Sequence, residues 1–418
     1  MSRRAIDTAW FKKRQRAEWR FRLYGKLALA TAAAMLVVLL GSIAGKGFTG
    51  FTRTEIELNI HMDMGKLGIS DVSELRSLSG TAFTGLVQES LDKVFLGNRS
   101  RKETRQLYEL ISEGAGLDVK EYLLAHPDAL GSITPLWLPA SSRVDLHVKQ
   151  VHGAGALTDT QLNWLAELQK QKRVRSAINT AFFDSGDSRM PEQAGFLGAM
   201  AGSAFTMLIC IAVCFPVGVM AAVYLEEFAR KGKWVDLIEV NINNLAAVPS
   251  IVFGLLGLAV YINVMGMPRS APLVGGLTLA LMVLPVIIIS TRVALKSVPP
   301  SIRDAARGLG ASQIQVVWHH TLPLAMPGIM TGTILGMARA IGETAPLLMI
   351  GMVAFIVDLP EGFTDPATVM PVQIYLWASS PEAGFAEKTA SGILVLLVLL
   401  LAMNALAIYL RKRFEIRW

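Results

Sequence analysis

Long apolar runs alternate with polar segments along the 418-residue chain. Runs of about 18 or more apolar residues are typical of helices that cross a membrane. Six runs have that length, so the pattern predicts an all-α polytopic membrane protein with six transmembrane helices. The predicted spans cover about residues 27–47, 194–224, 243–265, 271–295, 323–350 and 390–410.

The polar segment between the first two spans, residues 49–192, is too highly charged to lie in lipid. It contains 35 charged residues of nearly balanced sign, and it is long enough for a core of its own. Period-two alternation predicts strands at Ile56, Leu58, Ile60 and Met62 and at Val144, Leu146 and Val148. Helical spacing of apolar residues predicts helices within 71–95, 101–113 and 158–178. We therefore expect an α+β domain between the first and second spans.

The first apolar run has an alternative interpretation as a cleaved signal peptide. Ser42-Ile43-Ala44 has the small residues of a cleavage site. The apolar stretch, however, is longer than the core of about 7–15 residues that a signal peptide usually has. An uncleaved transmembrane anchor is therefore favoured.

Basic residues indicate which flanks face the cytoplasm. The net charge is +7, with nine Lys and Arg among the first 26 residues and four among the last eight. The segments after the second and fourth spans are also basic, whereas residues 351–389 have one Lys and five acidic residues. Both termini are therefore predicted to be cytoplasmic, and the α+β domain to lie outside. Basic anchors of this kind do not indicate binding to nucleic acid.

These assignments divide the chain into five parts. They are a basic cytoplasmic N-terminus (1–26), the first transmembrane helix (27–48), the outer domain (49–192), a transmembrane domain of five helices (193–410) and a cytoplasmic tail (411–418). The residues that suggest a function lie in a loop of the transmembrane domain and in its fifth span.

The loop at 296–323, predicted to be cytoplasmic, begins with the sequence of a short helix. Pro299-Pro300 interrupts the preceding helix, and Ser301 is predicted to cap a new helix that begins near Ile302. Asp304 is expected in the first turn of that helix, where an acidic side chain interacts favourably with the helix dipole.

The same loop continues into a second short helix. Gly310 is expected to end the first helix, and an amphipathic helix is predicted from about Ser312 to His319. Pro323 and Pro327 mark the return to the membrane. Two short helices tied to spans on both sides would form a compact knob.

This knob resembles the EAA loop of ABC importer permeases, in which Glu-Ala-Ala, three residues, Gly, nine residues and Ile-x-Leu-Pro follow one another. Here Asp304-Ala305-Ala306, Gly310 and Leu322-Pro323 have the required spacing. The chain departs from the pattern at Asp304, which replaces Glu and keeps the charge, and at His320, which replaces Ile. The resemblance implies that the loop docks into a cleft of an ATPase subunit. An ordinary interfacial helical hairpin is the alternative.

Two charged residues, Arg339 and Glu343, lie inside the apolar run of the fifth span. Charges at membrane depth are costly, so they usually form pairs or face a cavity. A spacing of four residues predicts that they share one helix face. They could form a bridge that locks helices together, or line a path for an anion, since a guanidinium offers two parallel donors to an oxyanion. Thr344 and Gly342 would fit such a lining, but they would fit helix packing equally well.

The run ARAIGETAPLL, which contains both charges, resembles the permeases of phosphate transporters, in particular the PstA type. LAAVPSIVFGLL at 245–256 and LTLALMVLPVIIISTRVALKSVP at 277–299 resemble the same family. The resemblance covers about residues 194–410. It implies the MetI-like permease fold of type I ABC importers, and it implies that Arg339 and Glu343 are charges essential for transport. The domain at 49–192 is a departure from the shorter family members.

The resemblance also implies a set of partners in the bacterial inner membrane. They are a PstC-like permease, two PstB-like ATPase subunits that bind the ATP, a PstS-like phosphate-binding protein, inorganic phosphate and the lipid bilayer. This chain is then not an enzyme by itself and binds no cofactor, in agreement with the absence of a GxxxxGK[ST] phosphate-binding loop from its sequence. A permease for molybdate or sulfate and a PstC-type subunit remain alternatives.

Other functional classes have less support in the sequence. A membrane-anchored sensor would need a cytoplasmic output domain, and a secondary transporter would show broken helices in paired halves. The two cysteines, Cys210 and Cys214, are too few for a disulfide framework. The polar segment 184–189 could hold a cation, but a boundary turn is favoured. No arrangement typical of a metal site or of nucleophilic catalysis is recognisable in the sequence.

Overall fold

The computed structural model describes residues 8–68, 72–97, 99–151, 157–353 and 355–414. The predicted helix at 71–95 therefore begins just outside the described residues, and the end of the predicted tail at 411–418 also lies outside them. The chain begins with one long helix, α1 (Thr8–Thr49), which contains the first predicted span. A region of mixed helices and strands follows, and the remaining long helices come after it.

We call the region Thr52–Asp184 the mixed domain. Among its described residues, three strands form an antiparallel sheet in the order β2-β1-β3, with Ile56 opposite Leu138 on one side and Val174 on the other. The strands are β1 (Thr52–His61), β2 (Ile133–Pro139) and β3 (Val174–Ile178). The helices are α2 (Met64–Leu67), α3 (Gly80–Val94), α4 (Arg101–Tyr108), α5 (Ala115–Ala125), α6 (Ser142–Val148), α7 (Asp159–Lys170) and α8 (Ala181–Asp184), with 3-10 turns at Val72–Arg76 and Pro127–Ala129.

The alternation that predicted the first strand also builds the core of this domain. Ile56, Leu58 and Ile60 point to one face of β1 and are fully buried, where they pack with apolar residues of α3 and α5. Burial of side chains of this size contributes about 1.5–3 kcal/mol each. The mixed domain therefore has an apolar core of its own.

Two predictions for the mixed domain were wrong. Val144, Leu146 and Val148 lie in α6 and not in a strand, because an alternation over five residues also fits little more than one helical turn. The predicted helix at 158–178 ends at Lys170, and its last residues form β3. Lys172, which has a positive φ of 57°, makes the turn between the two elements.

Among the described residues, five helices are long and apolar enough to cross a membrane, and a sixth span results if one bent pair of helices counts as one. The five are Phe11–Thr49, Leu197–Phe228, Pro272–Ser297, Gln313–Ile341 and Gly384–Arg413. The bent pair comprises Lys233–Ala246 and Ser250–Val264, which meet at 100°. Pro249 occupies the break, where it disfavours a helical residue before it and so ends the first helix.

The helices of this region have the following bounds. They are α9 (Leu197–Val223, then a π-helical turn at Tyr224–Phe228), α10 (Lys233–Ala246), α11 (Ser250–Gly257, continued as π-helix to Val264), α12 (Pro272–Ser297), α13 (Pro300–Gly308), α14 (Gln313–Val316, then a π-helical turn to Thr321), α15 (Leu322–Ile341), α16 (Ala345–Met349), α17 (Met370–Ala378) and α18 (Gly384–Phe414).

Helix α12 lies at the centre of this bundle and packs against α9 and α15, while α15 in turn packs against α18. Small residues bring α9 and α12 together, since a Cβ at Gly276 would lie 2.7 Å from the Thr206 carbonyl oxygen. Helix α1 packs against α18 near its own C-terminal end, where Gly47 is buried and the buried Gly50 directly follows the helix. The rest of α1 is largely exposed.

The fifth span is shorter than the apolar run predicts. Helix α15 ends at Ile341, and Gly342 is its C-cap. A separate short helix, α16, starts at Ala345 with Pro346 in its first turn. Proline clashes with the carbonyl of the residue four positions earlier, here Gly342, so a continuous helix is disfavoured at this point. The sequence predicted that Arg339 and Glu343 share one helix face. That prediction was wrong, because Glu343 lies beyond the end of α15.

Candidate functional site

The break between α15 and α16 brings Arg339 and Glu343 together in spite of the helix end. Arg339 Nε lies 3.5 Å from Glu343 Oε1. The Arg339 side chain is 56% exposed, whereas that of Glu343 is 19% exposed. Because the distance is long and the guanidinium is exposed, most of the Arg339 N–H donors stay accessible. The interaction of Arg339 with Glu343 is therefore weak. The neighbouring Thr344 is half-buried and is the N-cap of α16.

A groove lies along the same exposed side of α15 as Arg339. It has a volume of about 620 Å³ and is lined by α12, α15 and the start of α13. Leu335, one helical turn from Arg339, lines one part of it, and Ile302 of the loop lines another. Ser290, Ser297 and Thr331 provide hydroxyl groups between these two residues. The groove is therefore partly polar and is also lined by Arg411 of α18, whereas Arg339 lies beyond its Leu335 end and does not line it.

The loop forms two short helices with a tight corner, as the sequence predicts. The corner contains Gly310, whose φ of 88° is in the left-handed region that favours glycine. Its N–H bonds to the Arg307 carbonyl oxygen, and the Ala311 N–H bonds to that of Ala306. Ser312 then caps α14 through a capping box with Gln315.

Two details at the start of the loop differ from the prediction. Helix α13 begins at Pro300 with Pro299 as its N-cap, so Ser301 is not the cap and the helix does not begin near Ile302. The fixed φ of proline suits the first helical position, which explains the earlier start. Asp304 therefore lies beyond the first turn. It pairs instead with Arg307 at 3.5 Å on the exposed side of α13.

The knob combines a buried base with an exposed apolar tip. Ala306 and Leu322 are buried, while Asp304, Ala305 and Pro323 are exposed. Three large apolar side chains project from the tip, namely Leu309 (91% exposed), Ile314 (60%) and Trp318 (63%). Apolar side chains clustered on an exposed surface are typical of a protein–protein contact. His320, the departure from the EAA pattern, is exposed as well.

A network of ion pairs attaches the knob to the end of α9. The buried carboxylate of Glu227 binds Arg303 of α13 at 2.8 Å. Glu226 pairs with Arg292 at 3.4 Å and with Lys296 at 3.6 Å. Arg292 also binds Glu239 of α10 at 3.0 Å. The knob is therefore tied to the end of α9 through Arg303 and Lys296, and Arg292 ties α12 to both α9 and α10.

Sequence reasoning missed the acidic half of this network. It used the basic residues only as indicators of orientation and did not consider the acids in the segment that follows the second span. The signal was present, since Glu226-Glu227 stands directly before the basic segment at 230–233. Two adjacent acids at the end of an apolar span need partners, and the basic residues of the next loop on the same side were the candidates.

In the described part of the chain, Asp187 of the polar segment 184–189 forms hydrogen bonds that hold this segment in place. Asp187 Oδ1 accepts hydrogen bonds from the Trp377 indole N–H at 3.1 Å and from the Ser188 N–H at 3.0 Å. Burial raises the pKa of Asp187, while these hydrogen bonds oppose the increase. Among the described residues, no group of three or more His, Cys, Asp and Glu could hold a metal ion.

Two family models match the chain. "Domain of unknown function (DUF3333)" matches residues 8–157, and "Binding-protein-dependent transport system inner membrane component" matches residues 214–416. The second model corresponds to the region of α9–α18 and supports a MetI-like permease fold for it.

Several relatives carry the description "Phosphate transport system permease protein PstA". That of Yersinia pestis is 36% identical over 225 residues, which cover 52% of this chain and 74% of the relative. That of Mycobacterium leprae is 34% identical and covers 51% and 70%, and that of Haemophilus influenzae is 30% identical and covers 54% and 79%. An inward facing structure of the MetNI methionine ABC transporter matches 52% of this chain and 93% of its own, with 16% identity and a TM-score of 0.41.

Proposed function

The chain belongs to the family of PstA phosphate transport system permease proteins, and from that membership we propose that it is a permease subunit of an ATP-driven phosphate importer. In this proposal it forms one side of the translocation path, and a PstC-like permease forms the other. Two PstB-like ATPase subunits bind the ATP, and a PstS-like protein delivers phosphate. The chain itself hydrolyses no ATP, since its sequence has no phosphate-binding loop.

We place both termini in the cytoplasm of a bacterial inner membrane and the mixed domain in the periplasm. Six crossings return the chain to its starting side, with α10 and α11 counted as one bent span. The basic residues before the first span, after the second and fourth spans and in the tail then all face the cytoplasm. The knob lies on that same side.

The observation that carries the proposal is the half-exposed Arg339 beside the less exposed Glu343 in the outer part of the membrane bundle. Arg339 lies about 25 Å from Leu322 along α15, by the rise of 1.5 Å per residue, and so within a hydrocarbon layer of about 30 Å. A guanidinium at that depth needs a cavity or an anion. Its planar donors match two oxygens of a tetrahedral oxyanion.

Glu343 adjusts the strength of that site. A carboxylate 3.5 Å from Arg339 lowers the positive potential, so that the anion is released as well as bound. It also accepts a hydrogen bond from a protonated oxyanion. Phosphate carries a proton near neutral pH and sulfate does not, so the carboxylate favours phosphate. Thr344 provides a further hydroxyl group at the same break.

The knob is the contact for the ATPase. Its exposed Leu309, Ile314 and Trp318 supply apolar anchors, and the Arg303–Glu227 pair fixes its orientation to α9. Asp304 and Ala305 are exposed on α13 near Gly310, while Ala306 is buried at the base of the knob. Movement of an ATPase subunit against the knob then reaches α15, which continues from the π-helical turn after α14 up to Arg339.

Uptake of labelled phosphate by cells that produce the complex tests the anion path. Hydrogen bonds to charged groups are worth about 1.5–3 kcal/mol each, so we expect Arg339→Gln to reduce uptake by about 100-fold or more. The matched control is Arg269→Gln, which removes an exposed arginine from the connection before α12 and should change uptake less than twofold. Undiminished phosphate uptake by an assembled complex with Arg339→Gln would refute the proposed anion path.

Competition separates phosphate from other oxyanions. Excess unlabelled phosphate should abolish the uptake of labelled phosphate, whereas excess sulfate or molybdate should leave it unchanged. Equal competition by sulfate or molybdate would assign the complex to another oxyanion. Purification in mild detergent should recover an ATPase and a second multi-span chain, and recovery of this chain alone would contradict the importer assembly.

A further inference from the structure

The mixed domain is joined to the membrane helices through a buried polar contact. Glu387, near the start of α18, is 6% exposed and its two carboxylate oxygens have different partners. Oε1 accepts a hydrogen bond from the Thr49 hydroxyl at the end of α1, at 2.7 Å. Oε2 binds Lys149 Nζ, which directly follows α6 of the mixed domain, at 3.2 Å. One carboxylate therefore connects α1, α18 and the mixed domain.

The mixed domain holds Lys149 firmly in this position. Lys149 Nζ also donates to Asp145 Oδ2 at 2.6 Å and to the Thr52 carbonyl oxygen at 2.8 Å. Asp145 in turn accepts from the Thr54 N–H through its other oxygen at 2.7 Å. The ammonium group thus has three acceptors, two of which belong to the mixed domain itself. If Glu387 moved away, Lys149 would still be paired.

The next residue along α18 has no such arrangement. Lys388 is 4% exposed, and its Nζ has no hydrogen-bond acceptor among the described residues of the protein. It lies 5.2 Å from the centre of the Phe182 ring, a weak compensation for a buried cation. A buried ammonium group without an acceptor is destabilising by several kcal/mol.

A carboxylate suitable for Lys388 faces the same cavity without contacting it. Glu192, in the segment before α9, is 8% exposed, and Oε2 accepts a hydrogen bond from the Ser142 hydroxyl at 2.8 Å. The cavity that both side chains line has a volume of about 20 Å³, enough for about one water molecule. Within the part of the chain that the structure describes, Lys388 and Glu192 thus line one small cavity without forming an ion pair with each other.

We propose that these residues form a latch with two positions, through which the mixed domain controls the outer ends of α1 and α18 during transport. In the position seen here, Glu387 binds Lys149 and Thr49. In the second position, a small rotation of α18 pairs Lys388 with Glu192 and withdraws Glu387 from Lys149. The first position leaves Lys388 and Glu192 unpaired and the second leaves Glu387 without Lys149, so a bias from the transport cycle shifts the population from one position to the other. This inference rests on the proposed function, because it assigns the latch to the transport cycle.

Stability measurements in two states of the purified complex test the latch. The variants are Lys388→Met, Glu192→Gln and the double variant. Without nucleotide, Lys388→Met should leave the thermal midpoint unchanged or raise it, because it removes an unpaired buried charge. After trapping with ATP and vanadate, each single variant should lower the midpoint, and the double variant should lower it by less than the sum. That pattern shows coupling in the second position only.

Lys149→Met is the matched control for the first position. It removes bonds that are present in the structure, so it should lower the midpoint without nucleotide. If Lys388→Met lowers the midpoint equally in both states, Lys388 and Glu192 form a permanent pair and the latch is refuted. Additive effects of the two variants in both states refute it as well.

Phosphate uptake links the latch to transport. Lys388→Met and Glu192→Gln should each reduce uptake about 10-fold, and the double variant should be no worse than either single variant. Normal phosphate uptake in all three variants would show that the latch has no part in the transport cycle. If the unmodified complex transports no phosphate, the proposed function fails, while the stability measurements still report whether the latch exists.

Discussion

Arg303 donates two hydrogen bonds to the same carboxylate oxygen of Glu227, from Nε at 3.1 Å and from Nη2 at 2.8 Å. The guanidinium also donates to the carbonyl oxygens of Val298 and Leu295 at the end of α12, at 2.8 Å each. It therefore closes α12 at its C-terminal end, where a cation interacts favourably with the helix dipole, and it ties α9 to the knob. Both side chains are largely buried, so this pair differs from the exposed ion pairs elsewhere on the loop.

Arg303→Leu should uncouple the knob from α9. The change leaves the Glu227 carboxylate buried without its cation, which costs about 3–5 kcal/mol. We expect a lower thermal midpoint and loss of phosphate-stimulated ATP hydrolysis in the purified complex. The control is Arg307→Leu, because the pair of Arg307 with Asp304 is exposed and contributes at most about 1 kcal/mol. Equal effects of the two variants would show that the buried pair has no special role.

Gly310→Ala should strain the corner of the knob. Its φ of 88° is unfavourable for a residue with a side chain, by about 1–2 kcal/mol, although the space around it is open. We expect the tilt of α14 to change and the rate of ATP-driven uptake to fall several-fold. Gly308→Ala is the control, because Gly308 ends α13 with a negative φ and an equally open surrounding. Its uptake should be unchanged, and a similar loss in both variants would exclude backbone strain as the cause.

The sequence predicted those features that depend on local pattern. Four of the six apolar runs correspond to single long helices, whereas the runs at 243–265 and 323–350 are each broken. The alternation at Ile56, Leu58 and Ile60 corresponds to β1, and Gly310 lies at the predicted corner. Features that depend on contacts between distant residues were not predictable in this way. The Arg303–Glu227 pair joins the end of α9 to α13, and the two segments indicate opposite charges but not which residues pair.

The end of α15 shows a second limit of prediction from the sequence. The apolar run continues without interruption past Ile341, and hydropathy alone therefore predicts one span. Gly342 and Pro346 were visible in the sequence, but proline is tolerated in membrane helices when neighbouring groups satisfy the freed carbonyl. Pro285 and Pro327 lie inside α12 and α15 in this protein. Which proline ends a helix was therefore decided by packing and not by the residue itself.

Asp118 should make the mixed domain less stable as the pH rises. Burial raises the pKa of Asp118 to about 6 from an ordinary value of 3.8, and the nearby Arg53 opposes the increase. The folded protein therefore holds this proton more tightly than the unfolded chain, and its contribution to stability is lost as the pH rises from about 4 to 6. A shift of this size corresponds to at most about 3 kcal/mol.

The pH effect of Asp118 can be measured with an uncharged variant of the same shape. Asp118→Asn should raise the thermal midpoint of the full chain in detergent at pH 8, and the gain should shrink toward pH 5. Gln193 now donates to Asp118 Oδ2 at 3.3 Å, and the amide oxygen of asparagine can accept the same bond. Asp128→Asn, at an exposed position, is the control and should show no such dependence. A gain that is constant with pH would contradict the raised pKa.

Leu309→Ser should weaken the contact with the ATPase and leave the fold intact. The Leu309 side chain is 91% exposed, and exposed substitutions of this kind usually change stability by less than about 0.5 kcal/mol. An apolar anchor at an interface is worth more than about 1 kcal/mol, so we expect at least about fivefold weaker binding of the ATPase in a titration of the purified subunits. Leu322→Ser, which removes a buried leucine from the base of the knob, should instead lower the thermal midpoint. If Leu309→Ser binds the ATPase normally, the exposed tip is not the contact.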